Sequence, residues 1–217
     1  YSPKGGRITD EMLKKCEGEH IITSTNESNQ VFMGVDPGGR HHVFIYEINP
    51  AGKKKIIHVG ASCDWRSIAF LLDQYNVTTC VIDGAYDPTK AKELRDEHFD
   101  KVWLCLYNDS GSLKQWKLDY EAHQISTDRT QSLDDVLQKV VKKEWLLPKN
   151  WKKVSNEELK THWTKPTRYF DEKRETHIWT KPGAGDHLFH AAGYALMAER
   201  LPAGGDWGDA VGSGSER

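Results

Sequence analysis

No stretch of this sequence approaches the ~20 consecutive apolar residues that cross a bilayer. Nor do the first residues, Tyr1-Ser-Pro-Lys-Gly-Gly, form the apolar core of a signal peptide. A membrane protein is therefore not expected. An initiator Met is missing, so we read the chain as a piece cut from a longer protein. The four cysteines, Cys16, Cys63, Cys80 and Cys105, include no Cys-x-x-Cys pair. A zinc site is not expected, and all four read as reduced thiols of a cytosolic protein. No Gly-x-x-x-x-Gly-Lys-Ser/Thr phosphate loop occurs, so this stretch should neither hydrolyse ATP nor drive translocation alone. Strong net charge is absent too: the formal value is −2, without the basic balance usual in nucleic-acid binders. Residues 101–181 nevertheless hold more Lys and Arg than Asp and Glu, with several Trp between them. That fits a solvated surface over core tryptophans as well as a DNA-facing patch.

What is present is enough for one well-packed domain of 217 residues, with 37% hydrophobic and 29% charged side chains. Residues 1–30 are polar and read as a linker or arm, with a short helix from Asp10 to Cys16 capped by Thr9 or Asp10. Residues 201–217, rich in Gly, Ser and Asp, read as a flexible tail. Between them, residues 31–200 carry the fold. Val31–Asp36, His42–Ile48 and Lys55–Val59 are β-rich runs separated by Pro37-Gly-Gly39 and Asn49-Pro-Ala-Gly52 turns, which predicts an antiparallel meander. A helix capped by Asp64 follows, with Ile68, Leu71, Leu72 and Tyr75 on one face. Then come a buried strand at 77–82, a helix opening at Pro88, and a strand at 102–106. This order predicts an α/β fold: a mixed five-stranded sheet, three antiparallel strands and then parallel ones, flanked by helices. Beyond residue 107 the pattern weakens. Leu133–Lys143 is helical in period, 145–182 has no clean period, and 185–200 reads as an amphipathic helix.

Three acids occupy special places: Asp36 closes the first strand, Asp83 the fourth, and Asp186 begins the last helix. Each has an ordinary explanation as a turn or cap residue. Together they suggest a cluster whose mutual repulsion a cation would relieve. Hard oxygen ligands suit Mg2+ or Mn2+, and two ions could activate water and stabilise the leaving oxygen of a phosphodiester.

The motifs carry a resemblance. Gly34-Val-Asp36-Pro-Gly38, Val81-Ile-Asp83-Gly84, and Gly185-Asp186-His187 followed by Ala191-Ala-Gly-Tyr-Ala195 resemble the nuclease domain of tailed-phage terminase large subunits. That domain belongs to the ribonuclease-H and integrase group. The resemblance implies a ribonuclease-H-like fold and a metal-dependent endonuclease that cuts concatemeric double-stranded viral DNA during packaging. It implies catalysis and metal binding by Asp36, Asp83 and Asp186. It also implies partners: an ATPase motor of the same protein, joined through residues 1–30, and the portal and small terminase subunit. The setting it implies is the host cytoplasm, transiently at the procapsid.

One departure stands out. Many relatives have a further Asp one turn into the closing helix, where this chain has His190. His190, His187 and Asp87 are auxiliary candidates, and Asp87-Pro88 equally reads as a helix cap. Arg40, His41, His42, Arg129 and Lys181 are candidates for touching DNA, each also an ordinary surface charge. Two other readings stay open: a resolvase- or transposase-type nuclease of the same fold, and a module that docks a portal or small terminase subunit with little activity alone.

Overall fold

The computed structural model describes residues 6–22, 30–108, 116–180 and 185–201. Helix α1 (Asp10–Lys15) begins where the Thr9 hydroxyl accepts the Met12 N–H at 3.3 Å. Strands β1 (Val31–Asp36), β2 (His41–Ile48) and β3 (Lys54–Ser62) form the expected antiparallel meander. Its second turn is tied by the Asn49 side chain, which accepts the Ala51 and Lys53 N–H groups, while Gly52 supplies the positive φ of 74°. Helix α2 (Trp65–Gln74), strand β4 (Thr79–Asp83), helix α3 (Pro88–Glu97) and strand β5 (Val102–Asn108) follow, with β4 parallel to both β1 and β5.

The remaining elements are short apart from two long helices, the fourth and the last. They are β6 (Lys117–Asp119), β7 (Gln124–Asp128), α4 (Arg129–Val141), β8 (Trp145–Leu146), α5 (Trp151–Val154), α6 (Glu158–Thr164), β9 (Arg168–Asp171), β10 (Thr176–Trp179) and α7 (His187–Arg200). Among the described residues the sheet has eight strands in the order β6-β7-β5-β4-β1-β2-β3-β8, and β9 with β10 makes a separate hairpin. The five anticipated strands form its centre, and three short ones extend its edges.

Strand alternation sorts the core into two layers. Val31, Met33 and Val35 meet α2 and α3 through Ile68, Leu72, Ala91 and Leu94. Phe32, Val81 and Cys105 face the other way, into a layer with α4 and α7. Helix α7 is not amphipathic as anticipated: Leu188 through Ala198 are all buried. It lies between the sheet and helices α4 and α6, so nearly every face is apolar or small. At Gly34 of β1 a Cβ would lie 1.9 Å from the Ala191 carbonyl oxygen, so strand and helix backbones touch directly.

The anticipated boundary at residue 31 is not where packing begins. Ile8 and Leu13 are fully buried in the α4/α7 layer. Backbone bonds Gly18 N–H to Leu147 O (2.7 Å) and Leu147 N–H to Cys16 O (2.8 Å) stitch this segment to the domain. Residues 6–22 thus pack against the domain through Ile8, Leu13 and Cys16, and residues 202–217 lie outside the described ones. Among the described residues, no helix is long and apolar enough to cross a membrane.

Candidate active site

Asp36 and Asp83 end neighbouring parallel strands. Val35 pairs with Ile82, so the next residue on each strand is an acid. Gly34 and Val81, two positions earlier, face α7, and the period of two aims both carboxylates to that side. The first residues of α7 close the third wall with Asp186. An open cleft of about 520 Å³ lies between them, lined by the three acids and by Tyr86, Tyr107, Arg129, His187, His190 and Tyr194.

Each acid is held differently. Asp36 Oδ2 lies 2.7 Å from His187 Nδ1. The His187 ring stacks nearly flat on His42, which pairs with Asp36 across β2 (centroids 4.6 Å apart, planes 10°). Asp83 Oδ1 accepts the Ala85 N–H at 2.8 Å. Asp186 occupies the N-cap position of α7 but makes no side-chain cap bond. Asp64, Asp87 and Asp128, at the same position of their helices, all do. Asp186 Oδ2 instead accepts from Arg129 Nη2 at 3.2 Å. Arg129 also donates to the Trp179 carbonyl (3.3 Å) and lies 3.0 Å from His190 Nε2.

The electrostatics follow from burial and neighbours. Burial first, then the Asp36 charge, pushes the Asp83 carboxyl above its ordinary range, and the Ala85 N–H only partly offsets them. Its hydrogen bond to Asp36 holds the His187 imidazole above its usual value against burial. Burial raises the Asp186 carboxyl, but His190, Arg129 and His187 face it and outweigh that, leaving it lowered. His42, buried beside His187, His162 and Arg40, is pushed down to about 3 and stays neutral.

Of the anticipated residues, Asp36, Asp83, Asp186, Arg129, His187 and His190 converge on the cleft. Asp87 does not: its carboxylate caps α3 by accepting the Lys90 N–H at 3.1 Å. Arg40 is tied to Glu158 at 2.7 Å. His41 and His42 are buried, His41 against Trp65 and His42 beneath His187, so neither stands free to meet phosphate. Lys181 lies outside the described residues. Sequence reasoning missed Tyr86, Tyr107 and Tyr194. Tyr194 was within reach, since residues 187, 190 and 194 share one helical face.

Among the described residues, no three His, Cys, Asp or Glu side chains stand as a ready metal-ligand set. The reason is visible in the partners: Asp36 turns to His187, Asp83 to its own loop, and Asp186 to Arg129. Part of the donor set still fits a hard cation. Asp36 and Asp83 are oxygen donors at adjacent strand ends, and the raised Asp83 carboxyl marks a negative charge short of compensation.

No family model and no curated protein matches the chain. Solved structures do. The large terminase of bacteriophage HK97 superposes over 91% of this chain with a TM-score of 0.57 at 10% identity. The chain spans only 44% of that terminase's length. The large terminase nuclease of thermophilic phage G20c matches over 86% of this chain and 97% of its own (TM-score 0.54, 12% identity). A point mutant of the large terminase subunit gp2 nuclease domain of bacterial virus Sf6, with manganese and β-thujaplicinol, matches over 90% and 95% (0.54, 14%). The chain therefore has the ribonuclease-H-like fold. Within that fold, it takes the form of these terminase nuclease domains.

Proposed function

We propose that this domain is a metal-dependent endonuclease that hydrolyses phosphodiester bonds of double-stranded DNA, acting as the nuclease unit of a phage large terminase that cuts concatemeric genomes during packaging. One observation carries this reading: three acids from three separate elements wall a single cleft, in a fold shared with terminase nucleases. In this reading Asp36 and Asp83 would hold Mg2+ or Mn2+, and Asp186 completes the acidic wall. The bound cation would supply Lewis-acid activation of water and charge stabilisation at the scissile phosphate.

The side chains around it set orientation. Asp36 is fixed at Oδ2 by His187, and Asp83 at Oδ1 by the Ala85 N–H. The rotation of each carboxylate is thus chosen before any ligand arrives. His42, stacked under His187 and neutral, holds that ring in place without adding charge. Tyr86, 57% exposed at the mouth, offers an aromatic face beside the acids. An ATPase motor on the same protein, the portal and the small terminase subunit are the partners this role requires.

The test is plasmid cleavage by this domain with Mg2+, Mn2+ or EDTA, beside an Asp83→Asn variant. Metal-dependent cleavage that the variant loses supports the reading. Cleavage that survives EDTA, or a variant as active as the parent, would overturn it.

A further inference from the structure

We infer that Arg129 is a resident cation that takes the place of a second metal ion, so that the cleft holds one divalent ion, on Asp36 and Asp83, and Asp186 anchors the guanidinium rather than a metal. This rests on the metal-dependent reading and deepens it.

Arg129 is built into the site. It is 7% exposed and comes from the first residue of α4, directly after β7. Three contacts seat it: the Trp179 carbonyl at 3.3 Å, Asp186 Oδ2 at 3.2 Å and His190 Nε2 at 3.0 Å. A guanidinium has only donors. His190 Nε2 therefore accepts where it meets Arg129, and it also stands 3.4 Å from Asp186 Oδ2. His190 Nδ1 is buried and, among the described residues, has no hydrogen-bond partner. Thus His190 brings no negative charge to the cleft, and its lone pair is committed to Arg129.

Charge then limits the ion count. Asp36, Asp83 and Asp186 contribute at most three negative charges, Arg129 offsets one, and the His187 ring bonded to Asp36 adds to that offset when protonated. At most two negative charges remain, which one divalent ion balances. A second ion on Asp186 would have to break the Arg129 pair, or sit against a guanidinium with no place to retreat in a buried seat. Geometry agrees: each acid has one oxygen engaged, but the partner of Asp186 is a permanent cation, whereas Asp36 and Asp83 are held by a histidine and a backbone N–H and end adjacent strands. Arg129 has five N–H donors. Three are directed at the contacts above, which leaves two for an anionic oxygen entering the cleft that Arg129 lines.

The experiment is Mn2+ binding to the whole domain without DNA, by calorimetry and by the electron paramagnetic resonance of free Mn2+. We expect one ion per domain. Asp186→Asn should keep that ion within about threefold of the parent affinity, whereas Asp83→Asn should weaken it at least tenfold. Arg129→Gln, which leaves Asp186 uncompensated, should raise the stoichiometry to two. Should that variant fail to fold by circular dichroism, the Asp186→Asn result decides alone. Two ions on the parent, or a tenfold loss of affinity in Asp186→Asn, would overturn the inference and leave the nuclease reading standing. No binding by the parent would overturn both.

Discussion

Gly34 is the most constrained contact between the core and the site, and Gly34→Ala tests that directly. A Cβ there would lie 1.9 Å from the Ala191 carbonyl oxygen and 2.4 Å from the Ala195 nitrogen. Ordinary contact begins at 3.4 Å, so α7 must withdraw from β1 by about 1.5 Å. The obstructing atoms are backbone, and no rotamer change relieves them. Overpacking a core costs about 1–3 kcal/mol, and a backbone clash belongs at the top of that range. A loss of about 3 kcal/mol lowers the melting temperature of a domain this size by about 6–12 °C. Helix α7 carries Asp186, His187 and His190, so the same withdrawal shifts them against Asp36 and Asp83. A misplacement of about 1 Å can cost 10²-fold in rate. Thermal melting and metal-dependent plasmid cleavage read the two effects separately. Gly39→Ala is the control, because nothing lies within 4 Å of its added carbon. A Gly34→Ala variant that melts and cleaves like the parent would refute the close approach of α7 to β1.

Asp83→Asn should raise the metal-free melting temperature at neutral pH. The folded chain raises this carboxyl, so its contribution to stability is present at low pH and is lost as pH rises through the folded value. The gap between variant and parent should therefore close toward the ordinary Asp pKa of about 3.9, and a gap independent of pH would contradict the assignment. The same variant should lose metal-induced stabilisation, which in the parent reaches about 2.7 kcal/mol at an ion concentration a hundred times Kd. Tyr86→Ala should weaken binding of a single-stranded oligonucleotide by about 5- to 150-fold in fluorescence anisotropy, the worth of one stacked base at about 1–3 kcal/mol. Tyr86→Phe should bind like the parent. Trp179→Ala should cost about 3–5 kcal/mol in urea denaturation. It removes a buried ring that packs on Phe189 and bonds Asp134 at 2.8 Å.

The centre of the fold was legible because its signals are local and periodic. The meander, the helices capped by Asp64 and Asp87, and the strands ending in Asp36 and Asp83 all stand where composition and turns put them. Residues 145–182 were not legible, for two physical reasons. Their largest core side chains are single tryptophans, Trp145, Trp151, Trp163 and Trp179, each from a different short element, so no period links them. Their turns also use non-glycine residues at positive φ, at Asn156, Glu157 and Glu175, as does Lys143 just before them, and the usual Gly punctuation is missing. In the N-terminal arm the helix capped by Thr9 was legible, but its packing into the domain was not. Ile8 and the Met12-Leu13 pair are among the sparse apolar residues of a polar stretch, yet long-range contacts bury Ile8 and Leu13 completely.

The site divides along the same line. The three carboxylates could be read because each terminates a recognisable element. What balances their charge could not, because Arg129 reaches Asp186 only through pieces of the illegible region. Its seat includes the Trp179 carbonyl at the end of β10. Trp179 is fixed by its indole bond to Asp134, which also takes Arg168 of β9 at 2.8 Å. Arg168 in turn bridges Gly6 of the arm. A sequence motif thus supplies the acids, but tertiary packing of the arm, the hairpin and α4 supplies the cation between them. An acidic motif of this kind identifies the chemistry of the wall, while the number of ions it holds is decided by which side chains the rest of the fold brings to face it.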